Sequence, residues 1–259
     1  DADIPLFNRA LAGSYPPGSV IKPFLGIAAL VYSVLDADQR SMCPGYFQLP
    51  GHSHRYRDWK QDGHGLTDLH QAIVQSCDVY YYQLAVKLGI DTIDEFLRSF
   101  GFGAPTGLDI NGEGRGIVPS RDWKRTQFSR REDQVWFPGE TVITGIGQGF
   151  TLVTPLQLAH STAILASRGI PFKPRLVRAE VDGVTGEVIA REPEALSELE
   201  IDADHWQRIH DGMLGVIEEE LGTAHTIMSG ADYMVAGKTG TAQVFTVAQG
   251  DKYDAETLD

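Results

Sequence analysis

The chain has 259 residues, 42% hydrophobic and 22% charged, which is enough apolar material for a sizeable core in one large domain or two small ones. Its formal net charge of −13 argues against a nucleic-acid partner, because such proteins gather basic residues on one face. The longest apolar run, Phe24 to Leu35, is too short to cross a bilayer, which takes about 20 residues.

No signal peptide is visible and the chain opens on Asp rather than Met, so a fragment of a longer protein is expected. Residues 20–35 read as a buried helix, with Pro23 tolerated because it lies in the first turn. Residues 36–66 are rich in Gly, Pro and His and read as a long loop, a feature that is usually functional or tied down. Residues 67–88 read as helical in two pieces around Ser76 to Asp78. Asp91 to Phe100 reads as a short amphipathic helix closed by Gly101. Residues 101–153 read as glycine-rich loops, and Pro155 to Arg168 as a helix capped by Thr154. Leu176–Val181 and Glu187–Arg191 read as the strands of a β-hairpin turned by Asp182–Gly186. "DADHWQRIHDGMLGVIEEEL" spaces Trp206, Ile209, Met213, Val216 and Ile217 along one helical stripe. "YMVAGKTGTAQVF", residues 233–245, reads as a strand. Helices first and sheet after indicate an α+β fold.

The stretch "YPPGSVIKPF" carries the first chemical signal: Ser19 and Lys22 share one face of a helix. A serine hydroxyl is a weak nucleophile until a base takes its proton, and a lysine can be that base if burial or nearby positive charge lowers its pKa. By itself the pattern reads rather as a helix-capping serine beside a solvated lysine, since about one S-x-x-K is expected by chance in a chain of this length. Two further stretches add to it. "QSCDVYYYQ" sets Ser76 and Asp78 two apart around Cys77. "AGKTGTAQVF" holds Lys238, Thr239, Gly240 and Thr241, where a glycine lets a ligand approach the backbone.

Taken in order, S-V-I-K, S-C-D and K-T-G-T match the motif set of penicillin-binding proteins and serine β-lactamases. With "GFGAPTGLDINGEGRG" (101–116) and "GQGFTLVTPLQLA" (147–159), the chain resembles the class B, monofunctional penicillin-binding transpeptidases over nearly its whole length. "YPPGS", "RYRDWK" (55–60), "GHG" (63–65) and Asp78 resemble the elongation branch of that family. The resemblance implies an antiparallel sheet flanked by helices, with a mainly helical subdomain. It implies that Ser19 attacks a D-Ala–D-Ala stem peptide or a β-lactam, that Lys22 takes the proton, and that Ser76 relays a proton to the leaving amine while Lys238 steadies that relay. Thr239 and Thr241 would bind the substrate carboxylate beside Gly240, and the backbone N–H groups of Ser19 and Thr241 would form the oxyanion hole. Asp78 would contact a substrate amide. It stands where the division enzymes usually carry Asn.

Four histidines, His52, His54, His64 and His70, crowd the 36–66 loop and its edge, with Cys43 at its start and Cys77 between Ser76 and Asp78. Cys, His and Asp are all zinc ligands. The zinc pattern of the elongation branch, laid on this sequence, falls on Cys43, Asp58, His64 and Cys77. The two cysteines are also consistent with a disulfide or with two free buried thiols.

The resemblance implies one transpeptidase domain over residues 1–259, needing no cofactor for catalysis, on the periplasmic side of a bacterial inner membrane. The family's anchor, pedestal and last sheet strands are expected to lie outside the chain. Implied partners are peptidoglycan stem peptides, β-lactams, a membrane glycosyltransferase and scaffold proteins of the elongation machinery. Two other readings share the first and third motifs: a serine β-lactamase, with Glu113 or Glu140 near where a water-activating carboxylate would be needed, and a non-enzymatic β-lactam sensor.

Overall fold

A computed structural model describes residues 6–228 and 232–241. A short helix α1 (Arg9–Ala12) leads to a 3₁₀ turn, Gly18–Ile21, that runs directly into α2 (Lys22–Val31). The tight first turn suits the sequence, since Pro23 has no N–H to donate and sits where no partner is needed. Every residue of α2 from Lys22 to Leu30 is buried. Four three-residue strands follow: β1 (Ser41–Cys43), β2 (Tyr46–Gln48), β3 (Arg55–Arg57) and β4 (Gly65–Thr67). Then come α3 (Leu69–Val74), α4 (Asp78–Leu88), α5 (Ile90–Ser99), α6 (Arg121–Gln127), a 3₁₀ turn at Arg131–Gln134, α7 (Pro138–Thr144) and α8 (Pro155–Ala166). The described chain closes with β5 (Ala179–Val181), β6 (Val188–Ala190), α9 (Ala203–Glu218) and α10 (His225–Met228).

The core forms where α2 packs against α9, α4 and α5. Phe24 meets Phe100 and Phe102 edge-on, with ring centroids 5.2 and 5.1 Å away. From α9 the expected stripe Trp206, Ile209, Met213, Val216 and Ile217 is buried against this centre. Each such side chain contributes about 1.5–3 kcal/mol by leaving water. The core thereby fixes α2, and with it the segment carrying Ser19 and Lys22.

The helix break expected around Ser76 falls between α3 and α4, and Thr154 caps α8, its side chain accepting from Gln157 N–H at 3.1 Å. The hairpin at 176–191 forms with shorter strands, Ala179 pairing with Ala190 and Val181 with Val188.

Three expectations need correction. Residues 36–66 are not structureless: β1 pairs with β4 and β2 with β3, both antiparallel. Three-residue strands are too short to leave a readable alternation. Residues 101–153 hold two helices, α6 and α7, started by the Ser120 side chain accepting from Trp123 N–H (3.1 Å) and by Pro138. At seven residues each, they show too few turns for periodicity to stand out among the glycines. The strand expected over 233–245 is irregular across the described 232–241, and residues 242–245 lie outside the described residues. A strand exists only by pairing, and no described strand pairs with this one; its backbone is held instead by Gly237 N–H donating to Met213 C=O at 3.0 Å.

Candidate active site

Ser19 lies in the 3₁₀ turn that opens α2, partly exposed, while Lys22 one turn later is completely buried. Gly18, at φ +58°, lets the chain enter that turn. A Cβ there would stand 2.3 Å from Thr241 O, and a Cβ on Gly147 would stand 2.3 Å from Gly18 O. The two glycines therefore let three segments meet at van der Waals distance: the turn before Ser19, the G-Q-G run and the K-T-G-T segment. Gly18 N–H donates to Gly147 C=O at 3.0 Å, and Gln148 Nε2 donates to Thr241 C=O at 3.1 Å.

The buried Lys22 reaches across to the break between α3 and α4. Its Nζ donates to Ser76 C=O (2.8 Å), Ser76 Oγ (3.2 Å) and Asp78 Oδ1 (2.6 Å). An ammonium has three N–H donors, and all three have acceptors here. Ser76 is one of only three non-glycine residues at positive φ among the described residues, at +55°. Asp78 is held on both oxygens, Oδ1 by Lys22 and Oδ2 by Trp59 N–H at 3.1 Å. The pairing with Lys22 adds to Asp78 a contact that the sequence did not suggest. The Ser19 hydroxyl has no hydrogen-bond partner among the described residues, so it stands open at the front of the site.

Lys238 donates to Thr239 C=O at 3.0 Å, and Thr239 Oγ1 lies 2.7 Å from Thr223 Oγ1. Burial and the positive charge of Lys22, opposed by Asp78, push Lys238 down to about 7. No hydrogen bond joins Lys238 to Ser76 among the described residues. Gly240 lies against Val20, the residue after Ser19, where a Cβ would come within 2.7 Å of Val20 Cγ1.

Behind Ser76 lies the second group. One ligand atom each from Cys43, Asp58, His64 and Cys77 falls within 4.8 Å of the others. The strand register explains why. Cys43 pairs with Gly65, the residue after His64, and Tyr46 pairs with Arg57, the residue before Asp58. Both thiols lie 3.5 Å from Asp58 Oδ2, and His64 Nε2 lies 3.1 Å from Asp58 Oδ1. Burial works against the Asp58 carboxylate, but hydrogen bonds from His64, Val79 N–H and Lys60 N–H hold it down at about 2. The hydrogen bond with Cys77 lowers the Cys43 thiol to about 7, while that bond and burial raise Cys77. The two cysteines are not joined as a disulfide. Two sulfurs, one nitrogen and one carboxylate oxygen, all buried and mutually close, are a donor set that suits zinc. His70 belongs elsewhere, 2.5 Å from Glu219.

Three contributors had no role in the sequence reading. Trp59, inside "RYRDWK", donates its indole N–H to Gln75 C=O (3.1 Å) and Ser76 C=O (3.2 Å). Gln148, inside "GQGF", and Thr223 tie down the K-T-G-T segment. Trp59 and Gln148 stood inside visible motifs and Thr223 in none; each contact spans 16 residues or more, beyond what local patterning records.

The motifs thus converge on one site, and the whole sequence matches the same family. Residues 1–258 match the penicillin binding protein transpeptidase domain. The chain belongs to that family. It is 42% identical to the peptidoglycan D,D-transpeptidase MrdA of Acinetobacter baumannii, over 99% of this chain and 37% of that protein. It is similar to Pseudomonas aeruginosa penicillin-binding protein 2, solved in complex with WCK 5153, at TM-score 0.84 and 42% identity over 94% of this chain and 54% of that one. It is also similar to Helicobacter pylori penicillin-binding protein 2 in a complex with MreC, at TM-score 0.79 and 33% identity over 94% of this chain and 43% of that one. This transpeptidase-family chain spans about two fifths of the length of the curated relatives it matches. The antiparallel, helix-flanked family fold expected from the motifs is the one these neighbours share.

Glu113 and Glu140 both have their carboxylates engaged by neighbouring groups. Glu113 accepts from Thr106 N–H and Oγ1 and from Leu108 N–H. Glu140 pairs with the buried Lys124 and accepts from Phe137 N–H at 2.8 Å.

Proposed function

We propose that this chain is the single catalytic domain of a peptidoglycan D,D-transpeptidase of the elongation type, penicillin-binding protein 2. Ser19 Oγ attacks the carbonyl between the two D-Ala residues of a stem peptide. The C–N bond breaks, the terminal D-Ala leaves as a free amine, and an ester to Ser19 forms. An amine of a neighbouring stem then attacks the ester, releasing Ser19 and closing the cross-link. A β-lactam enters by the same attack, its ring C–N bond opening.

The observation that carries this reading is the meeting of three distant motifs. Lys22 Nζ is 3.2 Å from Ser76 Oγ, and Thr241 O lies against Gly18, the residue before Ser19. In this reading Lys22 accepts the proton of Ser19, and Asp78, which takes the shortest of the lysine's three hydrogen bonds, holds it in place. Ser76 then lies between Lys22 and the leaving amine. In this reading Thr239 and Thr241 bind the terminal carboxylate beside Gly240, Lys238 steadies the Ser76 relay, and the N–H groups of Ser19 and Thr241 stabilise the developing oxyanion.

Zinc held by Cys43, Asp58, His64 and Cys77 would act structurally, supplying a fixed charge that staples the β1–β4 segment to the start of α4. The chemistry of the four donors supports it. The domain would work on the periplasmic side of a bacterial inner membrane, with a membrane glycosyltransferase and a scaffold protein as partners. The H. pylori relative's complex with MreC supports the scaffold.

Intact mass after incubation with a penicillin tests the reading. A stable adduct, absent in Ser19→Ala, is expected. Adduct formation in Ser19→Ala would overturn it, and rapid turnover of the adduct would indicate a β-lactamase. Stable labelling without any cross-linked product from a stem-peptide donor and an amine acceptor would indicate a sensor.

A further inference from the structure

Helix α3 ends at Val74, and its last carbonyls have no partner within the helix. The next two, of Gln75 and Ser76, face the site. Ser76 N–H bonds back to Ile73 C=O at 3.3 Å, and Cys77 then starts α4, its sulfur accepting from Tyr80 N–H at 3.4 Å. Between them Ser76 adopts φ +55°, a conformation disfavoured for a residue with a Cβ. Something must hold it there. Lys22 is one donor to its carbonyl, at 2.8 Å. The other is the indole of Trp59, shared between the carbonyls of Gln75 (3.1 Å) and Ser76 (3.2 Å). The same residue's backbone N–H grips Asp78 Oδ2 at 3.1 Å. Its ring leans on His64, centroids 5.5 Å apart, and 59% of the residue is exposed. A largely exposed tryptophan adds little to a core, so its three polar contacts, all to residues 75–78, suggest another role.

We propose that Trp59 is a positioning residue for the transpeptidase reaction. Its indole N–H holds the Ser76 peptide in its left-handed conformation, so that Oγ stays beside Lys22, and its amide fixes the Asp78 carboxylate that pairs with Lys22. This rests on the reading above, in which Ser19 is acylated and Ser76 is the relay. Trp59 reaches neither Ser19 nor the reacting atoms. It acts through Ser76.

The test is the kinetics of acylation of the full-length protein by a penicillin. The limiting rate constant and the half-saturating concentration are measured for wild type, Trp59→Phe and Trp59→3-benzothienylalanine. The last replaces only the indole N–H by sulfur and keeps the ring, so it remains informative if Trp59→Phe folds poorly. Loss of the N–H is expected to lower the limiting rate about tenfold and to change half-saturation less than about twofold. Metal content is expected to stay at the wild-type value, which a general disturbance of the Cys43–His64 cluster would not allow. A limiting rate in the benzothienyl variant within about twofold of wild type would overturn the role of Trp59 while leaving the transpeptidase reading intact. Wild-type protein that takes no label on Ser19 would overturn that reading, and this inference with it.

Discussion

Lys22 and Asp78 form a buried ion pair, Nζ to Oδ1 2.6 Å, with the lysine side chain wholly inaccessible and the carboxylate only 12% exposed. One comes from the first turn of α2 and the other from the first turn of α4, so the pair locks two helices through the candidate catalytic groups themselves. Breaking such a pair by truncating one partner costs about 3–5 kcal/mol, because a charge is left buried without compensation. Asp78→Ala is therefore expected to lose stability in that range. Asp78→Asn keeps an oxygen acceptor for Lys22 and should lose about 1–3 kcal/mol. Denaturant titration of both variants checks this, and equal losses would mean that the charge is irrelevant.

Gly147 sits at φ +67° with its Cβ direction blocked by Gly18 O. The clash is with backbone, which has nowhere to rotate. Gly147→Ala should cost more than about 2 kcal/mol, from the left-handed backbone and the forced shift together. Because the shift falls on the residue before Ser19, penicillin labelling should slow by more than about tenfold. A variant that is destabilised but labels normally would separate the packing of this contact from its effect on the nucleophile.

Lys238 provides a pH dependence. Its folded value of about 7 lies below the usual lysine value near 10.4 in the unfolded chain. Below about 7 both states hold the proton, and the full cost of burying the charge is present. Between about 7 and 10 the unfolded chain binds more protons, so stability rises with pH; above both values the cost is gone. Relative to Lys238→Met, the wild type should gain up to about 1 kcal/mol per pH unit across that window, less whatever solvent screening removes at this partly exposed site. A difference that stays flat from pH 7 to 10 would show that the site does not depress this lysine.

Chelation tests the sulfur-rich cluster. Protein purified without a histidine tag is expected to carry about one zinc per chain, with Cys43→Ser and Cys77→Ser each losing most of it. Metal removal should lower the melting midpoint by several degrees, since about 1 kcal/mol shifts a protein of this size by roughly 2–4 °C. Midpoints identical with and without chelator would argue that the four side chains hold no metal.

Much of the fold was legible because it is local. The α9 stripe needs only a 3.6-residue period, Thr154 and Pro155 start α8 by their own chemistry, and the break at Ser76–Asp78 stands out between two apolar runs. The short strands β1–β4 and the seven-residue helices α6 and α7 were not legible, since they are shorter than the windows in which periodicity accumulates. At the site, the order of the three motifs pointed to the family that the whole-chain match shows, because a nucleophile, a base and a carboxylate-binding segment each require particular residue types.

What the sequence by itself determined was which residues are candidates for the chemistry: Ser19 with Lys22, Ser76 with Asp78, and Lys238 to Thr241. Only the tertiary structure decided which of them touch. Lys22 closes on Ser76 and Asp78, some fifty residues away, because α2 is fully buried between α4 and α9 and its one charged side chain must find an acceptor inside. Cys43, Asp58, His64 and Cys77 converge because two short ladders fold the 36–66 segment back on itself, and Trp59 reaches Ser76 from that same fold. Hydrogen bonds between distant segments leave no periodic trace in a sequence, because the chain that joins their ends is free to take any path that the core allows.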